Sequence, residues 1–201
     1  MILALAVPFS SAAFAAGNTE PIHTAETSLS TSYEKDIADA LSLGIIDAAE
    51  NIGSENISRE AFCEYVYNMI NSIKELPTAK LARAPFDDVL NYKINALAFS
   101  KIVSGKEEHV FAPNDKITRE EAAVILYRTA EYADINIPLA KVDITYSDNS
   151  EISDWAVSDI YSLRILGIID GSAEKFEPQA YVTSEQAVSS IVKLPNIIKG
   201  N

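Results

Sequence analysis

One cysteine, two histidines and one tryptophan are all that 201 residues contain of these types. A lone cysteine excludes an intramolecular disulfide and leaves no thiolate cluster for zinc. Cys63 stands beside Phe62 and shares helical spacing with Val66 and Ile70, so it reads as a small buried hydrophobe on a helix. The histidines are His23 and His109, and neither belongs to a His-Glu-x-x-His or cysteine–histidine pattern. A Gly-x-Ser-x-Gly nucleophile turn is also missing. Adjacent carboxylates, Glu107-Glu108 and Glu120-Glu121, read as solvated surface in a chain with 29 acids. The acids and amide at Asp143, Asp148, Asn149 and Glu151 lack the register of an EF-hand. The reading is therefore of a non-enzymatic protein, with no metal and no cofactor.

Positive charge is scarce. Sixteen Lys and Arg face 29 Asp and Glu, for a formal net charge of −13. The one close basic grouping, Lys74 to Arg83, is interrupted by Glu75, Leu76 and Pro77. Nucleic-acid binding, which needs clustered cations against phosphates, is not expected. Nor does the sequence hold an apolar run of the roughly 18 residues that a membrane span requires. What the chain does have is 48% hydrophobic and 22% charged residues, the balance of a folded globular protein.

The opening residues read as an export signal. Ile2 to Phe9 is apolar, and Ala13-Phe14-Ala15 has the small-x-small form of a cleavage site, although no Lys or Arg precedes the run. Residues 1–15 are expected to be a signal peptide and 16–27 a linker holding His23.

The remainder repeats itself, a pattern that decides the fold before any single residue does. Leu41-Ser42-Leu43-Gly44-Ile45-Ile46-Asp47 recurs, with one insertion, as Leu163-Arg164-Ile165-Leu166-Gly167-Ile168-Ile169-Asp170-Gly171. A weaker copy runs from Leu97 to Gly105. Each is followed by a second signal: Ile57-Ser58-Arg59-Glu60, Ile117-Thr118-Arg119-Glu120 and Val182-Thr183-Ser184-Glu185. The hydroxyl positions Ser58, Thr118 and Thr183 lie 60 and 65 residues apart. The first half of each unit reads as a helix, carried by Ile37 and Leu41 in copy one and by Trp155, Ile160 and Leu163 in copy three. Gly44 and Gly167 end it in a left-handed cap. Copy two has Lys101 there, so a different or strained cap is expected.

The second half opens on an N-cap. Thr118 with Glu121 and Thr183 with Gln186 form capping boxes, whereas Ser58 has Ala61 in the partner position. Apolar faces follow: Phe62, Val66, Met69, Ile70, Ile73; Ala122, Ile125, Leu126, Thr129; Ala187, Val188, Ile191, Val192. One helix–loop–helix unit is too small to bury its own apolar face, so three are expected to share one core.

The order Phe86-Asp87-Asp88, Ile102-Val103-Ser104-Gly105, Phe111-Ala112-Pro113-Asn114 and Ile117-Thr118-Arg119-Glu120 resembles the S-layer homology module. Tyr146-Ser147-Asp148, Asp154-Trp155-Ala156 and Gly167 to Gly171 are similar to the same module's opening. The resemblance extends over roughly residues 28–194 and divides the chain into units at 28–76, 85–137 and 145–195. It implies an all-α fold, with three helix–loop–helix repeats in a pseudo-threefold arrangement around a central helical bundle. It further implies non-covalent anchoring to the envelope, as a secreted protein of a bacterial cell wall or S-layer. The partner would be secondary cell-wall polysaccharide, often bearing pyruvyl ketals, held in grooves between modules.

Carried over residue by residue, the glycan-binding candidates are Arg59 and Arg119 of the motif, Trp155, the opening Asp88 and Asp148, and the later Gly105 and Gly171. A guanidinium suits a carboxylate, an indole face suits a sugar's C–H surface, and a carboxylate accepts sugar hydroxyls. Ser184 replaces the motif Arg in copy three, Ser32 and a residue near Val89 replace the Trp, and copy one lacks the Phe-x-Pro loop. Each candidate also has a plainer reading. Trp155 fits a core position, Arg59 and Arg119 fit salt bridges to a loop Asp, and Asp88 and Asp148 fit helix or turn caps. The alternative functions are a structural module that docks other surface proteins without glycan affinity and, more remotely, a secreted hydrolase.

Overall fold

A computed structural model describes residues 33–77, 85–137, 145–169 and 175–200. The expected signal peptide at 1–15, the linker at 16–27, residues 28–32 and Gly171 all lie outside these. Among the described residues there are six α-helices and no strand: α1 (Glu34–Ser42), α2 (Arg59–Ile73), α3 (Tyr92–Phe99), α4 (Arg119–Tyr132), α5 (Val157–Ile165) and α6 (Ser184–Gly200). The all-α expectation holds.

The long helices begin where the sequence signals them. Thr118 accepts from the Glu121 amide while the Glu121 carboxylate accepts from the Thr118 amide, a reciprocal box. Thr183 and Gln186 make the same pair of bonds. Ser58 accepts from the Ala61 amide at 3.2 Å, with no return bond from Ala61's apolar side chain. The buried faces match the helical spacing: Phe62, Val66, Met69 and Ile70 on α2, Ala122, Ile125, Leu126 and Thr129 on α4, and Ala187, Val188, Ile191 and Val192 on α6. Cys63 is fully buried, and desolvation pushes its thiol up to about 12, so it behaves as the inert hydrophobe the sequence implies. Two positions depart from the pattern. Leu41 and Ile73 stay partly in water, at 41% and 39% exposed, because Ala40 and Ile70 take the inward turn beside them.

The short helices α1, α3 and α5 end alike. Ile45, Ile102 and Ile168 donate back to Ala40, Leu97 and Leu163, with Gly44, Lys101 and Gly167 in the left-handed region at φ of +67°, +61° and +69°. Lys101 therefore adopts the glycine cap instead of avoiding it, and bears the Cβ strain that glycine would not. Lys101→Gly is expected to stabilise the fold by about 0.5–1 kcal/mol, the relief of strain being partly offset by a more flexible unfolded chain. Urea denaturation checks this, with Gly44→Ala expected to shift the midpoint the opposite way.

The main packing partners are not the two helices of one pair. The first helix of each pair lies on the second helix of the preceding pair: α3 on α2, α5 on α4 and α1 on α6. No comparable packing joins α1 to α2, α3 to α4 or α5 to α6 among the described residues. The expected hairpins are thus open, and each is closed by its neighbour.

The segments just before the long helices make a circuit. Ile57 donates to Val182 at 3.0 Å, Val182 to Ile117 at 3.1 Å, and Ile117 to Ile57 at 3.4 Å. Loop carbonyls of the next unit then satisfy the exposed first amides of each helix. Arg59 and Glu60 donate to Asp115 and Pro113, Arg119 and Glu120 to Ala180 and Pro178, and Ser184 and Glu185 to Glu55 and Gly53.

Candidate functional site

The residue that opens each long helix points into the loop of the next unit. Arg59 is buried, 5% exposed, with its guanidinium 4.9 Å over the Phe111 ring. Its Nε donates to the Phe111 carbonyl at 3.1 Å and its Nη2 to the Ser104 carbonyl at 2.7 Å. Nη1 lies 3.8 Å from Glu121 Oε2. Arg119 repeats this one unit on, with Nε to the Phe176 carbonyl at 2.8 Å and the guanidinium 5.1 Å over that ring. At the third seam Ser184 exchanges two 2.9 Å bonds with the Gly53 amide and carbonyl, so a short hydroxyl replaces the long cation. Among the described residues neither arginine pairs with a loop Asp, and backbone carbonyls are the main acceptors for both.

Asp88 and Asp148 do not cap helices either. Each accepts two backbone amides of its own unit's loop, Phe111 and Ala112 for Asp88 at 2.8 and 2.8 Å, Phe176 and Glu177 for Asp148 at 2.8 and 2.7 Å. Those donors hold a bend in which Ala112 and Glu177 sit at φ of +59° and +57°. Desolvation acts to raise the Asp148 carboxyl, but the Phe176 and Glu177 amides outweigh it and its pKa lies below the ordinary value. A depressed carboxylate contributes stability that is complete above its unfolded pKa and disappears as pH falls through the folded one. The urea midpoint is therefore expected to fall below about pH 4. Asp148→Asn is expected to flatten that acid limb and to cost about 2 kcal/mol at neutral pH, since its amide NH₂ meets donors.

Trp155 is 57% exposed, which overturns its assignment to the core. It sits in the turn ahead of α5, not on the helix. Glu120 fixes that turn, accepting from the Ser153 amide at 3.1 Å and its hydroxyl at 3.0 Å. Because α5 packs on α4, Trp155 faces a cleft of about 540 Å³ shared with Arg59, Gly105, Lys106, Glu121 and Arg128. All three units contribute to it. Gly105 permits the close approach of the loop: a Cβ there would lie 2.6 Å from the Glu107 and Val110 carbonyl oxygens. A second cleft, of about 270 Å³, holds Arg119, Lys175, Glu177, Gln186 and Tyr33, the last preceding α1 much as Trp155 precedes α5.

Of the seven residues expected to bind glycan, Arg59, Gly105 and Trp155 thus meet in one cleft, and Arg119 lines another. Asp88 and Asp148 stand behind the loops and shape them. Gly171 lies outside the described residues. Sequence reading missed Lys106, Glu121 and Arg128 as cleft residues and Tyr33 as the aromatic of the second cleft. Arg128 was within reach, since Asn68, Arg128 and Lys193 share the same register as the three hydroxyl caps. The cleft's cations are Arg59, Lys106 and Arg128 against one carboxylate, Glu121, so this concave site on an acidic protein suits an anion beside an aromatic face.

Residues 85–123, which run from the turn before α3 into α4 and include Asp88, Gly105, Phe111 and Arg119, match the S-layer homology domain family. The match to the S-layer homology family thus lies in the middle unit. It is also similar to an endoglucanase of Bacillus sp. (strain KSM-635), 33% identical over 114 residues, covering 55% of this chain and 12% of the enzyme. An amylopullulanase of Thermoanaerobacterium thermosulfurigenes and exoglucanase XynX of Acetivibrio thermocellus are each 28% identical over 146 residues, 70% of this chain. Those matches cover 8% and 13% of the two enzymes. The chain thus spans only about a tenth of the curated relatives it matches, and the activities in their names are theirs. Among the described residues no helix is long and apolar enough to cross a membrane, and no group of His, Cys, Asp and Glu is placed to hold a metal ion.

Proposed function

We propose that this chain holds its bearer to the bacterial cell envelope by binding an anionic secondary cell-wall polysaccharide in the cleft between Arg59, Arg128 and Trp155. Domains of the family anchor proteins to the envelope. The observation that carries the reading is the convergence of an exposed indole with guanidinium groups in one cleft built by all three units. A pyruvyl ketal on the glycan would offer the carboxylate that a guanidinium fork accepts, and the indole would stack on the sugar ring.

We also take the flanking units to be modules of the same kind, arranged with pseudo-threefold symmetry. The shared left-handed caps, the matching loop-to-helix bonds and the circuit through Ile57, Val182 and Ile117 support this. The protein would then work outside the cytoplasmic membrane, at the cell surface.

Retention on purified wall polysaccharide tests the proposal. Wild type is expected to be retained, and Trp155→Ala to lose about fivefold in affinity with an unchanged melting temperature, a stacked aromatic contributing about 1 kcal/mol. One observation favours a second reading, a structural module that docks other surface proteins: Arg59 already donates to two backbone carbonyls. Failure of wild type to bind the polysaccharide would decide for that module.

A further inference from the structure

We infer that Arg128, not the motif Arg59, is the side chain that reads the ligand's carboxylate in the three-unit cleft. The inference rests on the glycan-binding reading and adds the residue that gives it charge selectivity.

The three cations of the cleft are not equally available. Arg59 is 5% exposed and engaged on three sides, by the Phe111 and Ser104 carbonyls and by Glu121. A guanidinium has five N–H groups in one plane, and a buried one already aimed at the backbone has little left for a ligand. Lys106 lies 2.9 Å from Asp115 and 3.5 Å from Glu121, so two carboxylates answer its charge. Arg128 is half-buried and, among the described residues, makes a single hydrogen bond, from Nη1 to the Ser104 hydroxyl at 3.1 Å. Among the described residues no carboxylate lies within 4.0 Å of it. Its charge is felt by Asp159 on α5. Burial raises the Asp159 pKa, Arg128 lowers it and Glu131 raises it again, with a net rise.

The other units provide the comparison. Asn68 and Lys193 occupy the register of Arg128, and each reaches the carbonyl just after the left-handed cap of its own unit, Ile45 at 2.9 Å and Ile168 at 3.4 Å. A tether between helix and loop therefore needs no particular charge. Charge instead follows the seam. Arg59 shares its cleft with Arg128, and the corresponding pairs by register are Arg119 with Lys193 and Ser184 with Asn68. The seam that lacks the motif arginine lacks the second cation too. A pair kept or lost together is what an anion site needs, and a purely mechanical tether does not.

Arg128→Asn tests this, because it installs the residue that the first unit carries at this position. The probes are a methyl hexoside bearing a ketal-linked carboxylate and the same hexoside without it, with binding read from the Trp155 indole ¹⁵N shift. Wild type is expected to prefer the acid sugar by about tenfold. Arg128→Asn is expected to bind both sugars alike, with an unchanged melting temperature, and Arg128→Lys to recover part of the preference. Should Arg128→Asn fold poorly, Arg128→Gln replaces it. A tenfold preference that survives in these variants, or no preference in wild type, overturns the assignment. Wild type that prefers the acid sugar through Arg128 but ignores wall polysaccharide supports the assignment and defeats the anchoring proposal. Retention on polysaccharide with Arg128→Asn indistinguishable from wild type does the reverse.

Discussion

Phe111→Ala is expected to remove about 4 kcal/mol of folding stability, within the range for deleting a fully buried aromatic. The ring has no exposure, packs against Phe86 at 5.3 Å between centroids, and carries the Arg59 guanidinium on its face. Its main chain is held as firmly, with Asp88 accepting its amide and Arg59 donating to its carbonyl. Removal of the ring therefore leaves a void where two units join. For a domain of this size the loss corresponds to a drop of about 8–16 °C in melting temperature. Urea unfolding of Phe111→Ala and Phe111→Leu checks it: leucine should retain part of the stability by filling the site without the cation–π contact. A cost below 2 kcal/mol for alanine would show that the loop is not pinned by this side chain.

Arg59→Ala comes next, at about 3 kcal/mol. The loss strands two carbonyl oxygens, those of Phe111 and Ser104, in a place from which the arginine itself excludes water, at about 1–3 kcal/mol for each buried acceptor left unmet. Arg59→Met is the control that keeps the aliphatic packing and removes the guanidinium, with its donors and its charge. A surface arginine serving ligands alone would cost within about 0.5 kcal/mol when truncated. A small effect on urea unfolding would therefore return Arg59 to the role of a free anion clamp. The two substitutions should not add, since Phe111 and Arg59 touch. A double-mutant cycle measures that coupling directly.

Much of the fold was legible because its signals are local. The capping boxes at Thr118 and Thr183, the glycine turns at Gly44 and Gly167, and the apolar faces of the long helices each follow from residues within a few positions of one another. Lys101 was the local exception. Its unit keeps the left-handed cap because the buried Ile102 that follows fixes the turn, whatever side chain precedes it. What escaped sequence reading is long-range. Arg59 finds its acceptors 45 and 52 residues away, and the exposure of Trp155 depends on α5 lying on α4 with Glu120 holding Ser153. No spacing rule within one unit could have shown that its two helices pack mainly on other units. Arg128 is intermediate: the repeat register marked its position, but only its weak engagement beside a saturated Arg59 sets it apart.

The hydrogen-bond circuit through Ile57, Val182 and Ile117 has a consequence for how such a protein can grow. In an open solenoid each added unit stacks on the last, and length is unrestricted. Here the final unit's helix start is completed by the first unit's Glu55 and Gly53, so the series returns to its origin. A fourth copy would find no vacant partner, and deletion of one would leave a helix end and a loop unmatched on opposite sides of the gap. Gain or loss of units by recombination would therefore be tolerated in sets of three, and seldom one at a time.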